Sequence, residues 1–331
     1  VLFRSPFPPG RIASGITRRR GGRVRRAALS EQGRGMDAVI LGVAVVNGIV
    51  LGGLYGAIAI GLSLIFGVMR VINFAHGSFL MIGLFVPYWL WQLFKVNPYV
   101  SVLIAAPALF MLGYAVQAVL IAPLYRRERA MVLEPVSVLM LTAGVGLIMD
   151  NLTFMAFGPD FRGITLDFAS KAFRFGDYLN INYTRLLAFL VSLGLTALLS
   201  LFLARTDLGR AIRSTAQNRD AAALCGINVM RIYNVTFGMG CAVLGVVGCL
   251  MIPFYPVSPS IGLAFGIRSF ITVVLGGIGS IPGCILGGLV LGVVESVAAQ
   301  FVTATSASIF SFVIFILVLF FRPTGLLGMK V

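Results

Sequence analysis

The chain has 331 residues, of which 59% are apolar and only 11% charged, and its net charge is +15. A water-soluble domain carries about a quarter charged residues, so composition excludes a protein that hides its apolar surface in one soluble core. Cys225, Cys241, Cys249 and Cys284 lack C-x-x-C spacing, which excludes a recognisable disulfide framework and leaves them as small buried hydrophobes.

Residues 1–35 hold nine Arg against one Glu, with Pro and Gly and no apolar run. They therefore lack the apolar core of a secretory signal. A polybasic arm for lipid or nucleic acid is one reading. The other is a non-native or disordered extension. Val1-Leu2-Phe3-Arg4-Ser5 looks like translated adapter DNA, and Met36 opens a short polar-to-apolar transition, so 36–331 is expected to be the membrane domain.

From there the charges bunch. Uncharged runs occupy 39–69, 71–94, 96–125, 186–204, 232–267, 269–294 and 296–321, and 135–157 is apolar except for Asp150. Each is long enough for the roughly 17–25 residues that cross a bilayer as a helix. The expected fold is an all-α, polytopic transmembrane bundle of eight segments, or up to ten if 39–69 and 232–267 each hide a second or re-entrant helix. Tyr88, Trp89, Trp91 and Phe94 read as an interfacial aromatic belt.

Short loops rich in Lys and Arg stay in the cytoplasm. Arg126, Arg127 and Arg129 mark one, and Arg205, Arg210, Arg213, Arg219 and Arg231 another. The charge-balanced stretch 158–185 between them is expected outside. Eight plain spans would leave Arg322 and Lys330 outside, against the rule. The simplest repair is that Gly276-Gly277-Ile278-Gly279-Ser280-Ile281-Pro282-Gly283 breaks the run 269–302. The many glycines inside spans read as close helix packing.

The loop 205–231 carries the functional argument. Thr206 or Asp207 can cap a helix, Ala-rich turns propagate it, Gly226 suits a left-handed end with Ile227 packing back, and Asn228 starts the next element. The expectation is one short polar helix between two spans, too charged to insert and too short to stand alone.

That loop resembles the connector of ATP-binding-cassette importer permeases. Gly209-Arg210-Ala211-Ile212-Arg213, Asp220-Ala221-Ala222 and Gly226-Ile227 are similar to the version in branched-chain amino-acid permeases. Asn47-Gly48, Gly52, Tyr55-Gly56-Ala57, Gly61-Leu62, Val71-Ile72-Asn73-Phe74-Ala75-His76-Gly77 and Arg322-Pro323-Thr324-Gly325-Leu326-Leu327-Gly328 resemble other signatures of that family, essentially end to end over 36–331. Met149-Asp150-Asn151 departs from it, since relatives usually have Gln before the Asn. The resemblance implies a bacterial inner-membrane subunit forming half of a pathway for Leu, Ile and Val. It also implies a second related permease chain, two cytoplasmic ATPases and a periplasmic binding protein. Urea or short amides are the alternative cargo. No cofactor, metal or nucleic acid is expected. Lys occurs only at 95, 171 and 330, never as Gly-Lys-Ser/Thr, so ATP hydrolysis belongs to other subunits.

Polar residues in spans are functional candidates by default. Asn73 either caps the next helix or meets substrate, and His76 either bonds a neighbouring carbonyl or meets substrate. Asp150, with Asn151, either lines the pathway or makes a structural pair. Asn47 reads as an interhelical hydrogen bond, and Glu295 as a group near a membrane face pairing with a cytoplasmic cation. Arg210, Arg213, Asp220, Ala221, Ala222 and Gly226 are the candidate ATPase contacts, against the alternative that the charges are merely solvated. An intramembrane enzyme is disfavoured by a single histidine and no G-x-S-x-G elbow. A channel or ATP-independent transporter lacks ionisable residues along its spans beyond Asp150.

Overall fold

In hydrocarbon a backbone must satisfy its own N–H and C=O groups, which makes helices of the apolar runs. The computed structural model describes residues 17–124, 136–166, 172–175, 179–322 and 324–328. Its helices are α1 (Thr17–Met69), α2 (His76–Phe94), α3 (Val102–Val116, prolonged by a π turn at Gln117–Ile121), α4 (Val136–Phe157) and α5 (Tyr183–Arg205). They continue as α6 (Asp207–Gln217), α7 (Arg219–Leu224), α8 (Val229–Met251), α9 (Ile261–Gly276), α10 (Ile281–Ala298) and α11 (Ala304–Phe321). A short antiparallel hairpin, β1 (Ala172–Phe175) and β2 (Leu179–Asn182), precedes α5.

Residues 1–43 form one compact unit and 44–331 another. In the first, helical backbone begins at Thr17, so residues 17–35 of the Arg-rich stretch are helical. Residues 1–16, like Arg126, Arg127, Arg129, Lys171 and Lys330, lie outside the described residues.

Seven helices are long and apolar enough to span a bilayer, and two shorter apolar ones, α9 and α11, accompany them. The protein is a multi-pass membrane protein with nine apolar helices among its described residues. The eight expected segments become nine at the glycine-rich break. Residues 39–69 are one helix, whereas 232–267 divides between α8 and α9, and 269–302 between α9 and α10. Gly277 and Gly279 take φ of 107° and 80°, values that ordinary side chains resist. Ser280 then caps α10 by accepting from Gly283 N–H. The last carbonyls of α9 are satisfied from far along the chain: Leu326 N–H donates to Leu275 O at 2.9 Å and Leu327 N–H to Gly276 O at 3.0 Å. The terminal Gly-Leu-Leu-Gly sequence is thus a cap for α9.

Glycine sets the helix spacing. Along the antiparallel α1/α10 contact, a Cβ at Gly48 would lie 2.6 Å from Val293 Cα, and one at Gly52 2.6 Å from Gly288 O. These are backbone contacts that no rotamer change relieves, as in small-residue interfaces generally. The same close approach joins α8 to α1 (Gly240 on Gly61) and to α3 (Gly245 on Ala105).

The bundle has two distinguishable ends. At one, the α9–α10 junction meets the close of α1 through Gly279 N–H donating to Ser63 Oγ at 3.1 Å, and it also holds the C-terminal segment. At the other, Arg162 pairs with Val257 across an isolated antiparallel bridge. The Arg162 guanidinium lies 5.9 and 5.7 Å from the Tyr88 and Trp89 rings, and Arg185 lies over Phe254 at 5.8 Å. Tyr88 is buried and Trp89 packs on Phe157, so these two belong to internal packing, while Phe94 is exposed. With nine helices alternating in direction, α11 returns the chain to the α5–α6 end. Nine lies within the expected eight to ten segments, and the expected break at Gly276–Ser280 is what brings Arg322 to that end.

Candidate functional site

The connector between α5 and α8 is built by local capping. Thr206 Oγ1 accepts from Gly209 N–H at 3.0 Å and donates to the Phe202 carbonyl at 2.7 Å, joining α5 to α6 at a sharp corner. A Cβ on Gly209 would stand 2.4 Å from the Leu203 carbonyl oxygen, so the corner requires glycine. Helix α6 is strongly two-faced. Gly209, Ile212 and Thr215 are buried while Arg210 and Arg213 face out, and Arg210 pairs with Asp207.

The single expected helix is two. Asn218 leaves helical geometry (φ −150°, ψ 108°), and its Oδ1 accepts from Asp220 N–H and Ala221 N–H, each at 3.0 Å. Asparagine competes with helix continuation through such local bonds, which is why the chain breaks there. Helix α7 ends with Gly226 at φ 82°. Ile227 N–H donates to Ala222 O and Gly226 N–H to Ala223 O, both at 3.0 Å, a Schellman ending. Asn228 then caps α8 through Arg231 N–H. Among the candidate contacts, Ala222 is buried, whereas Arg210, Arg213, Asp220, Ala221 and Gly226 are exposed. Leu224, 90% exposed, stands at the tip.

A second group of polar residues lies at depth. His76 Nε2 is 3.0 Å from the Ile58 carbonyl, eleven residues before the end of α1, or about 16 Å along its axis. Residues 70–75 therefore run back beside α1 as non-helical chain, and α2 begins inside the bundle. Irregular backbone at such depth must be covered by protein, and Val71, Asn73 and Ala75 are buried. The Thr142 hydroxyl of α4 accepts from Phe74 N–H at 3.3 Å. Asn73 Oδ1 takes Ala75 N–H at 3.1 Å, so Asn73 makes a local turn ahead of α2, whose cap position is Ala75. Asn73 Nδ2 and His76 Nδ1 have no partner among the described residues.

Asp150 is half-buried on α4, and its Oδ1 has no hydrogen-bond partner among the described residues, the nearby Ser78 hydroxyl donating to the Gly146 carbonyl at 3.4 Å. Asn151 is exposed, and its side-chain amide returns to the Leu147 carbonyl of its own helix at 2.7 Å. Asn47 is half-buried on α1 without a side-chain hydrogen bond to another described residue. Asn73 and His76 are brought together at the start of α2. The connector residues form a separate group.

Sequence reasoning misplaced one polar cluster. Glu295 of α10 accepts from Arg268 Nη2 of α9 at 2.8 Å, from Tyr55 Oη of α1 at 2.9 Å and from Ser308 Oγ of α11 at 3.2 Å. Arg268 Nη2 also donates to Ser308 Oγ at 3.0 Å. The cation beside Glu295 is thus Arg268, a residue inside the bundle, and the expected cytoplasmic cation is not its partner. The charge of Arg268 between two uncharged runs was the available signal. Hydropathy alone used it only as a boundary.

Over residues 44–321 the chain matches the family described as branched-chain amino acid transport system / permease component. It is 34% identical over 296 residues to the high-affinity branched-chain amino acid transport system permease protein BraD of Pseudomonas aeruginosa, covering 86% of this chain and 94% of the relative. It is 32% identical over 302 residues to the corresponding permease protein LivH of Salmonella typhimurium, covering 85% and 94%. A probable branched-chain amino acid transport permease protein of Methanocaldococcus jannaschii is 26% identical over 285 residues, covering 82% and 87%.

Proposed function

The chain belongs to the branched-chain amino acid transport system permease family, and from that premise we propose that it forms half of the membrane pathway of an ATP-driven importer for leucine, isoleucine and valine. It works in a bacterial inner membrane beside a second related permease chain. Two cytoplasmic ATPases drive it, and a periplasmic binding protein delivers its cargo. Its own contribution is conformational: a connector converts closure of the ATPases into movement of helices α5 and α8, which it joins.

The observation that carries this reading is the α6–α7 pair. Its buried face, Ile212 and Thr215, anchors it to the bundle, while its outer face presents Arg210, Arg213 and an apolar tip at Leu224. An apolar side chain so exposed beside cations suits a separate protein with an apolar cleft and an acidic rim. The connector end also gathers Arg70, Arg205, Arg210, Arg213, Arg219, Arg231 and Arg322 against Asp207 and Asp220, the distribution that favours the cytoplasmic side.

The test is leucine uptake in cells that express the chain with its co-encoded partners. Gly226→Asp or deletion of 209–224 is expected to leave membrane abundance unchanged and to abolish ATP-driven uptake. At φ 82° any L side chain is strained by about 1–2 kcal/mol, and the added carboxylate opposes the acidic rim proposed for the partner. Normal uptake in either variant refutes the docking role. Urea and acetamide as competitors test the substrate class.

A further inference from the structure

An ionisable pair inside a membrane bundle is costly, and replacing a buried ion pair with apolar residues often preserves or raises stability. The Arg268–Glu295 pair is therefore poorly explained as a staple. Its side chains are 21% and 11% exposed, so most of each is withdrawn from solvent while a part stays accessible. Glu295 is well supplied, with three donors from three helices. Arg268 is not: Nη2 serves both Glu295 and Ser308, whereas Nε has no partner among the described residues. A guanidinium presents its donors as a planar fork matched to a carboxylate. The unmet donor marks where an acceptor belongs.

The surroundings suit one kind of acceptor. Arg268 lies 5.9 Å from the Tyr55 ring and 5.7 Å from Phe265, and Tyr255 packs edge-on against Phe265 at 5.1 Å. Charge and aromatic surface are thus adjacent. An α-amino acid with an aliphatic side chain presents a carboxylate, an ammonium and an apolar body. Placed here, its carboxylate meets Arg268 and its ammonium faces Glu295, so four charges alternate in sign. A neutral urea or amide would leave the fork unmatched.

We propose that Arg268 binds the substrate α-carboxylate within the membrane and Glu295 its ammonium, with Tyr55 and Ser308 as positioning residues. The proposal rests on the amino-acid reading given above. The experiment measures leucine uptake at saturating concentration in cells carrying the complete transporter, together with membrane abundance and thermal unfolding of the extracted complex. Arg268→Lys keeps the charge but not the fork. It is expected to lower the maximal rate about ten-fold, with abundance and unfolding temperature near those of the parent. The exchange R268E/E295R is expected to keep the helices paired while uptake stays lost. Full uptake in the exchange variant, or an unaltered rate in Arg268→Lys, overturns the proposal in favour of a structural pair. If Arg268→Lys fails to accumulate, Ser308→Ala decides. Because Ser308 bonds both charged groups, it is expected to reduce the rate at normal abundance, and an unchanged rate overturns the proposal. A parent transporter that takes up urea or acetamide but no leucine refutes the amino-acid reading itself, and with it the carboxylate contact. A parent that takes up leucine with variants unaffected refutes only the contact.

Discussion

At the scale of single residues, the clearest demands are made by glycine, and they differ sharply from one position to another. At Gly52 an added Cβ would stand 2.6 Å from both the Gly288 carbonyl oxygen and Leu289 Cα. Neither atom belongs to a side chain that can swing aside, so α1 and α10 must separate. Gly194 has nothing within 4 Å of the same added atom. Gly52→Leu is expected to destabilise the protein by about 3 kcal/mol or more, seen as a lowered unfolding temperature in detergent and reduced membrane abundance. Gly194→Ala is expected to be neutral or slightly stabilising, because alanine is the better helix former by about 1 kcal/mol. Equal effects at both positions would show that the α1/α10 spacing is not set by these contacts. The sequence marked these glycines as packing residues, since small residues recur four apart at Gly48, Gly52 and Gly56. It did not reveal which helix they face. That partner lies more than two hundred residues away, and only the fold brings it near.

At the scale of elements, legibility followed the period of the signal. Long uncharged runs translated into helices, because a 30 Å hydrocarbon layer admits few alternatives. The connector was legible in part. Thr206, Gly226 and Asn228 act as the caps their chemistry suggests, but in the sequence Asn218 has the appearance of helix interior. Asparagine is tolerated within helices, and only the geometry (ψ 108°) reveals that its side chain has taken two backbone donors for itself. The re-entrant course of 70–75 was likewise hidden. Its Val, Ile, Phe and Ala residues read as the first turns of a span, yet the hydrogen bonds of Thr142 and Asn73 hold them non-helical. Asn218→Ala removes the cap that starts α7. A lost cap of this kind costs about 1 kcal/mol, roughly a five-fold change in the local folding equilibrium. Amide exchange over 219–225 is expected to accelerate by about that factor while exchange in α5 and α8 stays unchanged, and ATP-driven uptake falls without loss of membrane abundance. Unaltered exchange over 219–225 would mean that α7 is held by its tertiary contacts and not by its cap.

At the scale of the whole molecule, sidedness and helix count are one question. Eight crossings separate Arg322 from the connector, and nine bring them to the same side. The hydrogen bonds of Leu326 and Leu327 to the last carbonyls of α9, together with the seat of Gly279 against Ser63, tie the C-terminal segment to the end where α1 closes. Arg162, Val257, Phe254 and Arg185 gather at the opposite end. The glycine-rich break is what reconciles the two: by converting one run into α9 and α10 it reverses the direction of everything after it. Cysteine labelling with a membrane-impermeant maleimide separates the alternatives. Cys225 is exposed on the connector, and the other three cysteines are buried, so the background is low once Cys225 is replaced by serine. In that background Asp160→Cys is expected to react in spheroplasts, and Arg322→Cys only in inside-out vesicles. Cys225 of the parent chain should follow Arg322→Cys. Reaction of Arg322→Cys in spheroplasts, with Cys225 still protected there, would restore the even count. It would require that α9 and α10 together cross the membrane only once, and the arginines of the connector would then be the only strong determinant of orientation.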